Sequence, residues 1–186
     1  MNPRAIPLRL AALVLLAGPA LAEETCPPPA DISAALDVLI ADAQAAESYM
    51  AGRDAFRDMF ALWAAAPDGW SGELMDVIQE RIAAADYPGA MKGLDALVVY
   101  CPSWAEAWNQ RAYVRFLQED YPAALEDIDR ALELVPRHVA ALSGKGVTLM
   151  RMGEAEEGDR ILREAVALHP WLPERGLLDP PAGAPR

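Results

Sequence analysis

Pro102, Pro136 and Pro170 stand 34 residues apart, and the residues around them repeat in kind as well as in number. Asp86-Tyr87-Pro88-Gly89-Ala90 recurs 34 residues on as Asp120-Tyr121-Pro122-Ala123-Ala124. A third unit reads Glu154-Ala155-Glu156-Glu157-Gly158 in that slot, keeping an acid ahead of the helix and a very small residue at the fifth position. A period of this length, in phase over 71–104, 105–138 and 139–172, is that of stacked helix-turn-helix units, each burying its apolar side only against its neighbours. Pro88 and Pro122 have φ preset for a first helical turn and lack only an N–H that would be unpaired there. Asp86 and Asp120 place an acceptor and a negative charge ahead of those N-termini. Trp108, Ala112, Phe116, Leu125, Ile128, Ala131 and Leu132 recur at helical spacing, and no strand-like alternation appears anywhere. The chain is therefore expected to be all-α, with Ala90, Ala124 and Gly158 small where the two helices of a unit approach.

Residues 105–138 resemble the tetratricopeptide repeat. Trp108, Ala112, Ala124, Ala131 and Pro136 fall where that family has its bulky, small, small, small and proline positions, while Arg111 and Arg115 replace the usual leucine and aromatic. Residues 139–172 match at Leu142, Gly146, Leu149, Gly158, Ala165 and Pro170, and residues 71–104 at Leu74, Ile78, Ala90, Leu97 and Pro102. The resemblance implies a right-handed superhelical stack of antiparallel helix pairs, an α-solenoid, whose first helices line a concave groove that holds a protein or peptide. By that register the groove takes Met75, Gln79 and Ile82 from the first unit, Glu106, Asn109, Gln110, Tyr113 and Phe116 from the second, and Ser143, Val147, Met150 and Arg151 from the third. Family members that clamp a terminal carboxylate use several lysines and asparagines, and here Asn109 and Arg151 stand without a lysine cluster. The resemblance thus points to aromatic anchors with amide donors. Whether Phe116 faces the groove or the inside of the stack stays open.

The flanks read differently. Arg4 and Arg9 precede the apolar stretch Leu10 to Ala17, and Ala20-Leu21-Ala22 offers small residues to a signal peptidase, so residues 1–22 are expected to be cleaved and the protein to be periplasmic. The stretch is too short to span a bilayer. In such a compartment disulfides persist, and Cys26 and Cys101 are the only two cysteines. A bridge between them within one chain is expected, closing a loop worth about 4 kcal/mol. A bridge between two chains stays open, and no Cys-x-x-Cys spacing supports a redox pair. Residues 23–30 form a proline-rich segment around Pro27-Pro28-Pro29. Residues 31–70 are expected to make two helices, with apolar faces at Ile32, Leu36, Leu39, Ile40 and Ala43 and at Phe56, Met59, Phe60 and Trp63, that cap the open end of the stack. Residues 173–186 are read as a non-helical tail, with Trp171, Leu172, Leu177 and Leu178 either folding back over the last helix pair or leaving it open to a docking protein.

Charge and chemistry narrow the functions. Loss of Arg4 and Arg9 with the leader takes the formal net charge from −12 to −14. That sign repels phosphate backbones and anionic headgroups, so no nucleic-acid partner and no membrane insertion after cleavage is expected. His138 and His169 have no ligand or nucleophile at a working spacing, Gly144-Lys145-Gly146 lacks the strand of a phosphate loop, and the acidic clusters of 126–129 and 154–159 follow helical periodicity. No catalytic residue, metal or cofactor is expected. The chain reads as a non-enzymatic adaptor or assembly factor binding a protein or peptide, or alternatively as a structural subunit, with an oligomer possible.

Overall fold

The computed structural model describes residues 26–178, so the expected signal peptide and the last eight residues of the tail lie outside it. Eight α-helices make up the described residues, with no strand among them: α1 (Ser33–Ala45), α2 (Tyr49–Trp63), α3 (Gly69–Ala83), α4 (Tyr87–Tyr100), α5 (Ala105–Leu117), α6 (Tyr121–Leu134), α7 (Val139–Arg151) and α8 (Ala155–Leu168). The pairs α3–α4, α5–α6 and α7–α8 stack in sequence as an all-α solenoid.

Local chemistry sets the starts. The Asp86 and Asp120 side chains accept from the amides of Gly89 and Ala123, with Pro88 and Pro122 in the first turn of α4 and α6. Ser48 caps α2, and Asp68 closes a reciprocal capping box with Ser71 at the start of α3. The turn inside each pair needs a left-handed residue at one register position, which falls on Ala85 (φ 57°), Glu119 (φ 63°) and Gly153 (φ 89°). Only the third unit places a glycine there, where no side chain resists that backbone conformation.

The close approach within a pair is solved twice. A Cβ on Gly146 would sit 2.9 Å from the Gly158 carbonyl oxygen, and one on Gly158 2.7 Å from that of Gly146, so α7 and α8 touch backbone to backbone. Ala112 and Ala124 keep the same crossing small in the second unit, both buried. In the first unit Ile78 fills the crossing, and Gly93 receives it, because a Cβ there would lie 2.7 Å from Ile78 Cγ1.

Neighbouring units are tied by a repeated ion pair. Arg111 of α5 reaches back to Asp95 of α4, and Lys145 of α7 to Asp129 of α6. Val77 stands in the cation's place in α3, half-exposed, and Arg163 stands in the acid's place in α8, where it pairs with Asp159 of its own helix. The two arginines that depart from the family pattern are explained here. Arg111 holds both oxygens of the buried Asp127 at 2.9 and 2.7 Å, and Arg115 reaches Asp127 at 2.9 Å and the Ala123 carbonyl at 2.9 Å. Hydrogen bonding to Asp127 raises the Arg111 pKa further above its ordinary value, against desolvation.

The N-terminal hairpin corrects the expectation of an end cap over residues 31–70. Leu36, Ile40, Ala43, Ala55, Met59 and Trp63 of α1 and α2 share one core with Val139, Leu142, Leu149, Ile161, Leu162 and Ala165 of α7 and α8. The hairpin lies along the row of turns between units. Trp104, His138 and Leu172 occupy one register position in those turns and are buried there. The Trp104 indole N–H donates to the Trp63 carbonyl at 3.0 Å, and the Trp63 ring stacks on His138 with centroids 4.1 Å apart. Gln44 donates to the Ala167 carbonyl, and Arg137 pairs with Asp37. The reason is chemical: the hairpin's large aromatic and aliphatic residues match the apolar residues of the turns, whereas the end of the stack at α3 offers only Trp70 and Val77, which stay half-exposed. The Cys26–Cys101 disulfide fixes the segment ahead of α1 to the end of α4, with a sequence separation of 75.

The chain's other end also differs from its reading. Residues Pro173–Leu177 form a 3₁₀ turn in what was expected to be a non-helical tail. Leu172 is buried in the core shared with the hairpin and Leu178 packs against that core, so these two fold back, while Leu177 stays exposed. The outward face of α8 carries Glu156, Glu157, Arg160, Arg163 and Glu164, all exposed, with Arg160 paired to Glu157 and Glu164 and Arg163 to Asp159. That face is charged and needs no further cap.

Candidate functional site

Because α2 crosses the turns, it also walls the concave side of the stack. Between α2, the first helices of the three units and the 3₁₀ turn lies a cavity of ≈ 540 Å³. That is within the range of ligand-binding clefts. Tyr49, Phe56 and Phe60 of α2 face it, with Tyr113 and Phe116 of α5 and Trp171 beyond α8. Arg53 and Glu174 are the only charged residues in its lining.

The expected groove residues separate in the structure. Gln79, Asn109, Gln110, Tyr113, Phe116, Ser143 and Val147 line this cavity. Phe116 does so half-buried while resting on Tyr121, at 5.5 Å between centroids. Glu106 does not line it. Its side chain is buried under α5 and accepts from Asn109 Nδ2 at 3.0 Å, from Gln110 Nε2, and from His138 Nε2 at 3.0 Å. Burial of a carboxylate is tolerated where several donors converge on it, and these three supply them. Arg151 stands outside the cavity, exposed, with its guanidinium over the Tyr121 ring at 5.9 Å. Met75, Ile82 and Met150 pack into the cores of their own units.

The Glu106 contact changes what the amides offer. Asn109 and Gln110 each spend one N–H on the carboxylate, so each amide keeps one N–H and its carbonyl oxygen. The histidines are structural ends in different ways. His138 Nδ1 accepts from the Ala141 amide and so caps α7, which leaves the proton on Nε2 for Glu106. His169 Nε2 donates to the Gly52 carbonyl at 3.0 Å, and its Nδ1 is buried with no hydrogen-bond partner. Burial pushes its pKa below the ordinary histidine value. The Trp171 ring occupies the place a Cβ on Gly52 would take, at 2.2 Å, so α2 and the last turn meet without a side chain between them.

Sequence reasoning missed Tyr49, Arg53, Phe56, Phe60, His169 and Trp171 as parts of one site. One signal was present. The apolar stripe of α2 includes Phe56 and Phe60 beside Met59 and Trp63, wider than one contact needs. Met59 and Trp63 are buried against the repeats, while Phe60 remains 42% exposed on the cavity side.

Comparison with known proteins agrees with this architecture. The tetratricopeptide repeat model matches residues 105–138. A TPR repeat-containing protein of Rhizobium etli is 35% identical over 80 residues, covering 43% of this chain and 39% of that protein. A tetratricopeptide repeat protein 36 homolog of Nematostella vectensis is 34% identical over 62 residues, covering 33% of this chain and 34% of its own length. This chain thus spans little more than a third of the curated relatives it matches. The crystal structure of MamA superposes with a TM-score of 0.52 at 20% identity, over 65% of this chain and 70% of that one, a likeness of fold.

Proposed function

We propose that this chain, a tetratricopeptide-repeat protein, is a non-enzymatic periplasmic adaptor or assembly factor that holds a segment of another protein in the cavity between α2 and the first helices of its repeats. The observation that carries the reading is the cavity itself, six aromatic rings around a nearly uncharged space on the concave side of a repeat stack. Repeat folds of this kind serve protein and peptide recognition, and an aromatic-lined concavity presents large contact area at low entropic cost. The export reading is supported by the leader-like pattern of residues 1–22 and by the Cys26–Cys101 disulfide, a bond that persists in oxidising compartments.

A crosslinking experiment on the tagged mature chain in periplasmic extract tests this, comparing wild type with Asn109→Ala/Tyr113→Ala at matched helicity. Partners captured by wild type and lost in the variant are the expected outcome; an unchanged set sinks the cavity as the binding site. The alternative, a permanent structural subunit, is supported by the half-exposed Trp70 and Val77 on α3 and not by the charged outer face of α8. It requires a fixed oligomer in light scattering that Trp70→Lys dissolves.

A further inference from the structure

The outward face of α3 is where the repeat joint stops. α5 packs on α4 of the preceding unit and α7 on α6, whereas α3 packs on α4 of its own unit. Moved back by one period, the fully buried Ala107 and Ala141 of those joints become Glu73, and the buried Val114 and Thr148 become Glu80. The cations Arg111 and Lys145 become Val77. A further unit stacked here in the same way would press a glutamate into a place that holds only alanine and would bury two carboxylates. The α8 face of another copy does not offset this, since its Arg160 and Arg163 are already paired with acids of their own helix.

An antiparallel contact meets the same residues differently. At about 100° a residue, Trp70, Glu73, Val77, Arg81 and Ala84 fall in one strip about 80° wide. All five are exposed. Their spacing of three, four, four and three residues reads the same in both directions, with Val77 at the centre. Laid against itself about a twofold axis at Val77, the strip sets each Glu73 across from Arg81 of the other copy and each Trp70 across from the small Ala84. The Trp70 ring is already positioned by Tyr100, 4.5 Å away edge to face, whose hydroxyl donates to Asp68. Arg81 holds Asp86 through Nη1 and keeps further N–H groups for a second acid.

We infer that two copies of this chain associate through α3, antiparallel about a twofold axis at Val77, with Trp70 and the Glu73–Arg81 pairs closing the contact. A helix of 15 residues offers about 22 Å of contact. That is a small interface, so the dimer is reversible, with a Kd on the order of 10–100 µM, unlike the fixed oligomer of a permanent subunit. The strip shares no residue with the cavity, to which α3 lends Gln79, so the dimer carries two open cavities and either reading can fail without the other.

Sedimentation equilibrium of the mature chain tests this at about 0.15 M salt, where repulsion between the acidic copies is screened. The mass is expected to double as concentration rises through the range about 1–500 µM. Glu73→Lys sets lysine against arginine and Arg81→Glu sets glutamate against glutamate, so each alone is expected to weaken the dimer at least about tenfold. An equimolar mixture of the two variants restores it, because every contact then joins opposite charges. Val77→Lys, tolerated by the fold because α7 carries Lys145 at that register, places two like charges on the axis and leaves a monomer throughout. Circular dichroism confirms that each variant is folded. A wild type that stays monomeric, a mixture that does not re-form the dimer, or a dimer indifferent to Val77→Lys overturns the inference. Mass that grows past the dimer overturns it in favour of head-to-tail stacking.

Discussion

The repeat stack and the N-terminal hairpin bury comparable side chains and are held by different kinds of contact. In the stack, the joints recur: small residues on both helices at the crossings of two units of three, a cation reaching back to an acid of the previous unit, a capped and proline-marked second helix in two units of three. Its buried charge is satisfied, with Asp127 gripped by Arg111 and Arg115. The hairpin is fastened by contacts that occur once: Trp63 on His138, His169 to Gly52, the disulfide. That seam leaves polar atoms unpaired, since Trp63 Nε1 and His169 Nδ1 are both buried without partners. Unpaired buried groups cost stability, and the seam carries two of them against one in the stack, Ser143 Oγ of α7. The hairpin should therefore open before the stack unfolds, and it is the hairpin that walls the cavity.

Two substitutions of similar size should break that contrast or sharpen it. Asp127→Ala leaves Arg111 and Arg115 without their buried acid and is expected to cost about 4 kcal/mol in urea melts, in one cooperative transition. Trp63→Ala removes a side chain only 2% exposed and is expected to cost about 3 kcal/mol. Its loss should be confined to the hairpin: amide exchange in α1 and α2 rises while α5 and α6 stay protected. Equal exchange throughout both variants would mean one cooperative unit.

Cys26→Ser/Cys101→Ser comes next, with about 2–4 kcal/mol lost and the same regional exchange pattern, since the bond holds the entry to α1 against α4. The acid response is smaller. His169 has a lowered pKa in the folded state, so below its ordinary value of 6.5 the unfolded chain takes up the proton first, and stability falls as pH drops through that value toward the folded pKa. His169→Gln should flatten this part of the pH–stability profile; an unchanged slope would assign it to other groups. Smallest of all, Gly153→Ala should cost about 1 kcal/mol and Glu119→Gly should gain about 0.5 kcal/mol, both from the positive φ of the turn, read from thermal melts.

The evenness of the stack is what made it legible. The phase of Pro102, Pro136 and Pro170, the Asp86–Pro88 and Asp120–Pro122 starts and the small residues at the crossings are each local requirements of one helix pair, so the residues state them directly. The cavity was legible in half. Gln79, Asn109, Gln110, Tyr113 and Phe116 follow from register along the first helices. Glu106 and Arg151 share that register and leave the site, because a one-residue difference on a helix decides whether a side chain meets the groove or a neighbouring unit. Tyr49, Phe56 and Phe60 come from outside the period and Trp171 from the turn that ends it, and no spacing brings the four together.

By itself, then, the sequence determined an all-α repeat architecture, where its helices begin, and which cysteines were available to pair, since these depend on interactions within about one turn or one period of the chain. Tertiary structure alone decided that the hairpin lies along the turns and not on the end, that α8 closes the stack with its own charges, and that the groove has a second wall. Those outcomes rest on which distant apolar surfaces fit best, Trp63 against Trp104 and His138, and Gly52 against Trp171, and a fit of shapes is not written in any stretch of sequence short enough to read.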